Sequence, residues 1–162
     1  MTDYRRALDV LRDGRVRFVV IGGVAATAHG SSQLTNDLDV VYAREGQDIA
    51  NLASALAPHH PYLRGVPPGL PFRFDERTIK RGLNFTLDTD FGPLDLLGEA
   101  TGGGTYAALE PHTITLDLFG GPCLCVDLPT LIRLKRAAGR PKDILALAEL
   151  EALFVASTKP HR

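Results

Sequence analysis

The sequence predicts an α/β (α+β) fold, with a mixed β-sheet flanked by helices and a helical segment at the C-terminus. Three observations carry that prediction. Strand-length apolar runs alternate with helically spaced ones over residues 3–57, two apolar segments meet around Gly120-Gly121 as in a hairpin, and residues beyond 128 read as helix. All 162 residues are expected in one domain, with a core over about 16–126 and C-terminal helices over about 129–156. A chain of this length buries roughly 70% of the surface its unfolded form exposes, so neither a disulfide nor a bound metal is required merely to fold.

Taken in order, residues 3–13 place Tyr4, Ala7, Leu8 and Leu11 at helical spacing, and Gly14 offers a stop. Residues 16–21, VRFVVI, have the β-branched and aromatic content of a buried strand. Gly22 and Gly23 end that strand and open a helix of small residues. Residues 37–42, DLDVVY, form a second expected strand. Ile49, Leu52, Ala53 and Leu56 then recur at helical intervals. Pro58, Pro61, Pro67, Pro68, Gly69 and Pro71 mark a loop built around at most one short strand. Residues 72–79 and 83–90 read as paired strands around Lys80-Arg81-Gly82, and 94–97, LDLL, as a further short strand. After the glycines at 102–104, segments 112–119 and 121–128 read as a hairpin. Asp127 or Thr130 suits the cap of the next helix, Gly139 stops it, and Pro141 fits the first turn of the last.

The net charge of −1 argues against a general polyanion binder, which needs a basic excess to displace counterions. The average hides a pattern. Residues 1–82 hold 11 basic and 9 acidic side chains, 83–128 hold 7 acidic and no basic ones, and 129–162 hold 7 basic and 3 acidic. Carboxylates on one segment and phosphate-binding cations on another would produce this, as would unevenly solvated faces. Cys123 and Cys125 lie too close in a strand-like run for a mutual disulfide, and two thiols alone make no zinc site. A reduced, cytoplasmic protein is expected. The first 18 residues carry charges throughout without an apolar signal core, and no apolar run reaches the roughly 20 residues of a membrane helix.

The strongest chemical feature is Gly22-Gly23, then 13 residues, then Asp37-Leu38-Asp39. Alternate strand residues share a face, so Asp37 and Asp39 aim at one spot while Leu38 and Val40 anchor in the core. Two adjacent carboxylates repel unless a cation lies between them, and Mg²⁺ binds through one or two carboxylates together with substrate phosphates. Alone, the acidic pair reads first as a solvated or turn-capping pair at a strand end. The glycine pair changes that reading, because it lets backbone N–H groups approach a phosphate at a helix start. Asp95 is the best third acid, being alone in the apolar run 94–97. Asp88 and Asp90 lie beside a turn, and Asp117 and Asp127 at strand ends.

With these motifs in view, VVIGGVAATAHG followed by TNDLDVVY resembles the nucleotidyltransferase core of the DNA polymerase β superfamily. GGxAxxxHG with the later KRAAGRPKDILALAEL resembles, more narrowly, small bacterial nucleotidyltransferases related to toxins of toxin-antitoxin pairs, over residues 16–153. The resemblance implies a nucleotidyltransferase-like sheet and transfer of a nucleoside monophosphate from a nucleoside triphosphate to an acceptor hydroxyl, with release of pyrophosphate. It further implies that Gly22 and Gly23 cradle the phosphates. Asp37, Asp39 and Asp95 would hold Mg²⁺, two ions being expected and Mn²⁺ able to substitute, with Asp95 also a general base. The end of a tRNA or another RNA is the acceptor that the toxin-related group suggests, with a cognate antitoxin as partner. A protein or an antibiotic is the alternative acceptor. Where relatives carry Arg two residues before the Thr that precedes the acidic pair, this chain has Gln33, which removes one cation near the phosphates.

Other cations are available in the tail. Lys135, Arg140 and Lys142 are read as phosphate contacts, against the alternative of a solvated basic face with Asp143 as a local ion-pair partner. Ser31 either touches the triphosphate or fills a turn, and Arg77 and Lys80 are weaker phosphate candidates. His29 is read as a helix C-cap, and no histidine is assigned to metal. The reading from another class is a nucleotide-binding or antitoxin-like module without turnover, against which three intact acids count.

Overall fold

The computed structural model describes residues 1–158. Helix α1 (Tyr4–Asp13) starts at Asp3, whose carboxylate accepts from the Arg6 backbone N–H, and it buries Ala7, Leu8 and Leu11. Strand β1 (Phe18–Ile21) runs directly into α2 (Gly22–Ala28), which ends at His29 as its C-cap. Strand β2 (Leu38–Tyr42) and helix α3 (Asp48–Leu56) follow. The proline-rich stretch contains one short strand, β3 (Tyr62–Leu63).

Residues 72–79 do not form the expected strand. They lead into helix α4 (Glu76–Arg81), because Asp75 accepts from the Thr78 backbone N–H at 2.9 Å, and Lys80 and Arg81 fall in the last turn. The partners of β4 (Asn84–Thr89) are instead β3 and β5 (Gly92–Leu97). Between β5 and the hairpin lies a segment the sequence left unassigned, a two-stranded ribbon of β6 (Glu99–Ala100) and β7 (Gly104–Thr105) and a helical turn, α5 (Tyr106–Leu109). The expected hairpin is β8 (Thr113–Leu118) with β9 (Gly121–Val126). Asp127 caps α6 (Leu128–Ala138) through the Thr130 N–H, Gly139 ends it in left-handed conformation at φ 64°, and α7 (Pro141–Thr158) begins at its proline.

The seven-stranded mixed sheet has the order β3-β4-β5-β2-β1-β9-β8. Its centre contains the parallel pairs β2/β5 and β1/β9, joined by the antiparallel pair β1/β2. All four residues of β1 are buried, so the middle of the sheet is covered on both faces. Helices α1, α3 and α4 pack as one group, and α2, α6 and α7 as another. Among the described residues, no helix is long and apolar enough to cross a membrane. The arrangement places the C-terminal end of β1, the N-terminal end of β2 and the middle of β5 beside one another.

Candidate active site

Register brings the acids together. Asp39 stands opposite Asp95 across the parallel pair β2/β5 and opposite Ile21 across β1/β2, while Asp37 leads into β2 from a bend. One carboxylate oxygen from each of Asp37, Asp39 and Asp95 lies within 4.8 Å of the others. Their apolar neighbours Leu38, Val40, Leu94 and Leu96 are fully buried, so the strands cannot move to separate the charges. Burial and then the neighbouring Asp95, through a hydrogen bond and its charge, push the Asp39 carboxyl up to about 7; Asp37 adds to this and Lys135 opposes it. Three hard oxygen donors at this spacing fit a divalent cation.

The glycine pair is required, and for a specific reason. Gly22 has φ +68°, and a Cβ there would lie 2.1 Å from Asp39 Oδ2; one on Gly23 would lie 2.5 Å from Thr35 Oγ1. The backbone at the start of α2 therefore approaches the side chains that carry the acidic motif. The N-terminus braces the same loop. Thr2 Oγ1 donates to the carbonyls of Asn36 and Pro93, and the Tyr4 hydroxyl to the Thr35 carbonyl at 2.7 Å. No sequence pattern announces these contacts, since they join residues more than 30 apart.

The cations of the tail divide into two kinds. Lys135 Nζ lies 3.3 Å and Arg140 Nε 2.7 Å from the carboxylate of Asp143, which is fully buried. Burial alone would raise the Asp143 carboxyl, but hydrogen bonds from Arg140 and the charges of Lys135 and Arg140 hold it below the usual carboxylate value. The pairing read from sequence as incidental is thus a buried anchor that orients Lys135 and Arg140. Among the described residues Lys142 has no ion-pair partner, and it is exposed. Arg77 and Lys80 lie on α4, away from both cavities described below.

Ser31 has a definite partner. Its hydroxyl donates to Glu149 of α7 at 2.5 Å, and the Ser32 hydroxyl and N–H donate to the same carboxylate at 2.6 and 3.1 Å. These bonds tie the loop before Asp37 to the last helix. The His29 backbone N–H caps α2, and its ring is hydrogen-bonded to the Val126 carbonyl at 2.7 Å.

Two cavities meet at the acids. One, of about 390 Å³, has Asp95 on one side and an apolar wall that includes Leu97, Leu131 and Leu134. The other, of about 270 Å³, is lined by Ser31, Gln33, Thr35 and Asn36. Both share Asp37, Asp39, Lys135, Arg140 and Lys142. Sequence reasoning gave Asp143 only as a local ion-pair partner, and it missed Glu149 and also Arg64, which follows β3 and reaches the acids from the sheet edge.

The mixed sheet flanked by helices is shared with solved structures of nucleotidyltransferases. The chain is similar to the lincosamide antibiotic adenylyltransferase LnuA in its lincomycin-bound form, at a TM-score of 0.61 and 14% identity, covering 94% of this chain and 98% of that one. It is also similar to the antibiotic-resistance factor ANT(2'')-Ia. The solution structure matches at a TM-score of 0.51, 14% identity and coverage of 95% and 88%, and the crystal structure with adenylyl-2''-tobramycin at 0.52, 14%, 94% and 93%. No protein-family model matches the sequence, and no curated protein matches it significantly.

Proposed function

We propose that this chain is a metal-dependent nucleotidyltransferase that moves a nucleoside monophosphate from a nucleoside triphosphate to a hydroxyl of a small molecule. The observation that carries this reading is the convergence of Asp37, Asp39 and Asp95, where two cavities share Asp37, Asp39 and the cations Lys135, Arg140 and Lys142 and one of them is also lined by Asp95. The polar cavity suits the phosphates, with Lys135 and Arg140 held toward it by Asp143 and Gly23 in its lining. The half-apolar cavity beside Asp95 suits an acceptor that presents a hydroxyl from an apolar body.

Asp37, Asp39 and Asp95 would hold Mg²⁺, which when bound would neutralise charge on the phosphates and lower the pKa of the acceptor hydroxyl. Asp95 accepts the proton of the acceptor hydroxyl at a carboxylate oxygen. The acceptor oxygen forms a bond to the α-phosphorus as the bond to the β-phosphate oxygen breaks, and pyrophosphate leaves. Lys135 and Arg140 meet the charge on that leaving group.

The lincosamide and aminoglycoside enzymes with this fold favour a small acceptor over RNA. The basic tail supports RNA weakly, because two of its cations are committed to Asp143. The test is pyrophosphate release from each nucleoside triphosphate with Mg²⁺ and three acceptor sets, lincosamides, aminoglycosides and total tRNA. Release is expected with a small hydroxylated acceptor and absent in Asp39→Ala. Release with tRNA alone assigns the toxin-like activity, and none with any acceptor, with Asp39→Ala indistinguishable from wild type, leaves a nucleotide-binding module.

A further inference from the structure

Arg64 holds a position among the acids that the transfer chemistry does not use. Its Nη2 donates to Asp95 Oδ1 at 2.8 Å and to the Leu87 carbonyl at 2.7 Å, its Nε donates to Asp88 Oδ1 at 3.3 Å, and its Nη1 lies 3.8 Å from Asp37 Oδ2. The Arg64 backbone N–H is bonded to the Thr86 carbonyl at 3.0 Å, so the side chain is tethered beside β4. One guanidinium thus reaches two of the three carboxylates that would hold a divalent ion, together with one acid, Asp88, outside that set.

A guanidinium stays charged at any physiological pH, so it leaves a carboxylate only by moving. A divalent ion held by Asp37 and Asp95 would compete with Arg64 for their carboxylates. We infer that Arg64 is a positioning residue that stands in for the divalent cation when nucleotide is absent, and that it retreats to Asp88 and the Leu87 carbonyl when the ion arrives. The inference rests on reading the three acids as metal ligands. The retreat is short, since Arg64 already touches both of its final partners, and Asp88 is exposed enough that water screens the pair it would keep. Two consequences follow. The ion binds weakly until triphosphate oxygens complete its shell, so ion and nucleotide load together, and Asp95 is freed as a proton acceptor only in the loaded enzyme.

The test is Mn²⁺ binding to the full-length, metal-free protein without nucleotide, read from the electron paramagnetic resonance signal of free hydrated Mn²⁺. Arg64→Ala is expected to bind Mn²⁺ roughly tenfold more tightly than wild type, the size of one charge-assisted hydrogen bond removed from the competitor. Asp88→Asn is expected to weaken binding, because Arg64 then leans on Asp95. In an Arg64→Ala background the Asp88→Asn change is expected to have almost no effect, whereas a mere effect of field would persist there. Arg64→Gln, which keeps the length of the side chain, serves if the alanine variant fails to fold. Wild type that binds Mn²⁺ with arginine variants no tighter overturns the inference alone, as does an Asp88→Asn effect that survives without Arg64. Mn²⁺ left free by every protein removes the metal reading and the proposed activity together.

Discussion

At Gly22 the site depends on the lack of a side chain. The backbone there has φ +68°, and an added Cβ would lie 2.1 Å from Asp39 Oδ2. Gly46 shares the positive φ, at +57°, but faces open space. The two positions therefore separate backbone strain from steric conflict. Gly46→Ala is expected to cost about 1 kcal/mol, the strain of left-handed backbone alone. Gly22→Ala is expected to cost about 2 kcal/mol more and to abolish Mn²⁺ binding, because Asp39 must move. Urea unfolding of both variants, with Mn²⁺ titration of each, checks the pair, and equal stabilities would contradict the crowding at Gly22. The sequence shows that something approaches the glycines closely. That the near neighbours are Asp39 and Thr35 depends on strand register, which the spacing of 13 residues does not specify.

At the scale of elements, the turn between α6 and α7 builds the cationic rim. Gly139 reverses the chain, Lys135 of α6 and Arg140 of the turn close on the buried Asp143 in the first turn of α7, and all three line the cavity beside Asp95. Asp143→Asn keeps the shape of that side chain and removes its charge, leaving two cations partly unpaired. It is expected to cost about 3 kcal/mol of stability and to raise KM for the nucleoside triphosphate more than it lowers kcat. Chemical denaturation and steady-state kinetics read the two effects, and a variant with unchanged KM would show that Lys135 and Arg140 do not meet the nucleotide. Elements with local signals were legible in the sequence: α1 from its Leu8 and Leu11 stripe, α6 from the Asp127 cap, and the β8/β9 hairpin from its glycines. Residues 72–79 were misread because alternating Phe72 and Phe74 imitate a strand, although Asp75 three residues before Thr78 is a cap signal. Arg64 and Glu149 had no signal at all. Their partners lie in other elements, and a lone Arg or Glu reads as surface until the sheet order is known.

For the molecule as a whole, the sheet holds three carboxylates in mutual repulsion, and that arrangement links stability to pH and to metal. Burial and the neighbouring Asp95 push the Asp39 carboxyl up to about 7 in the folded chain, against about 4 in an unfolded one. Between those values the folded state binds more protons than the unfolded state, so stability falls as pH rises from about 4 to 7 and levels above. In chelator, the midpoint of thermal unfolding is expected to be lower at pH 8 than at pH 5.5, and Mg²⁺ added with a nucleoside triphosphate is expected to restore it at pH 8 and to do less at pH 5.5. A midpoint that Mg²⁺ with nucleotide shifts no further than nucleotide in chelator at both pH values would contradict a metal role for the acids. The central claim, transfer of a nucleotidyl group, is tested most directly by the fate of two labels. With nucleoside triphosphate labelled at the α-phosphate or at the γ-phosphate, Mg²⁺ and a hydroxylated small-molecule acceptor, the α-label is expected on the acceptor and the γ-label in pyrophosphate. A γ-label on the acceptor, or no transfer of the α-label to any acceptor, would contradict it.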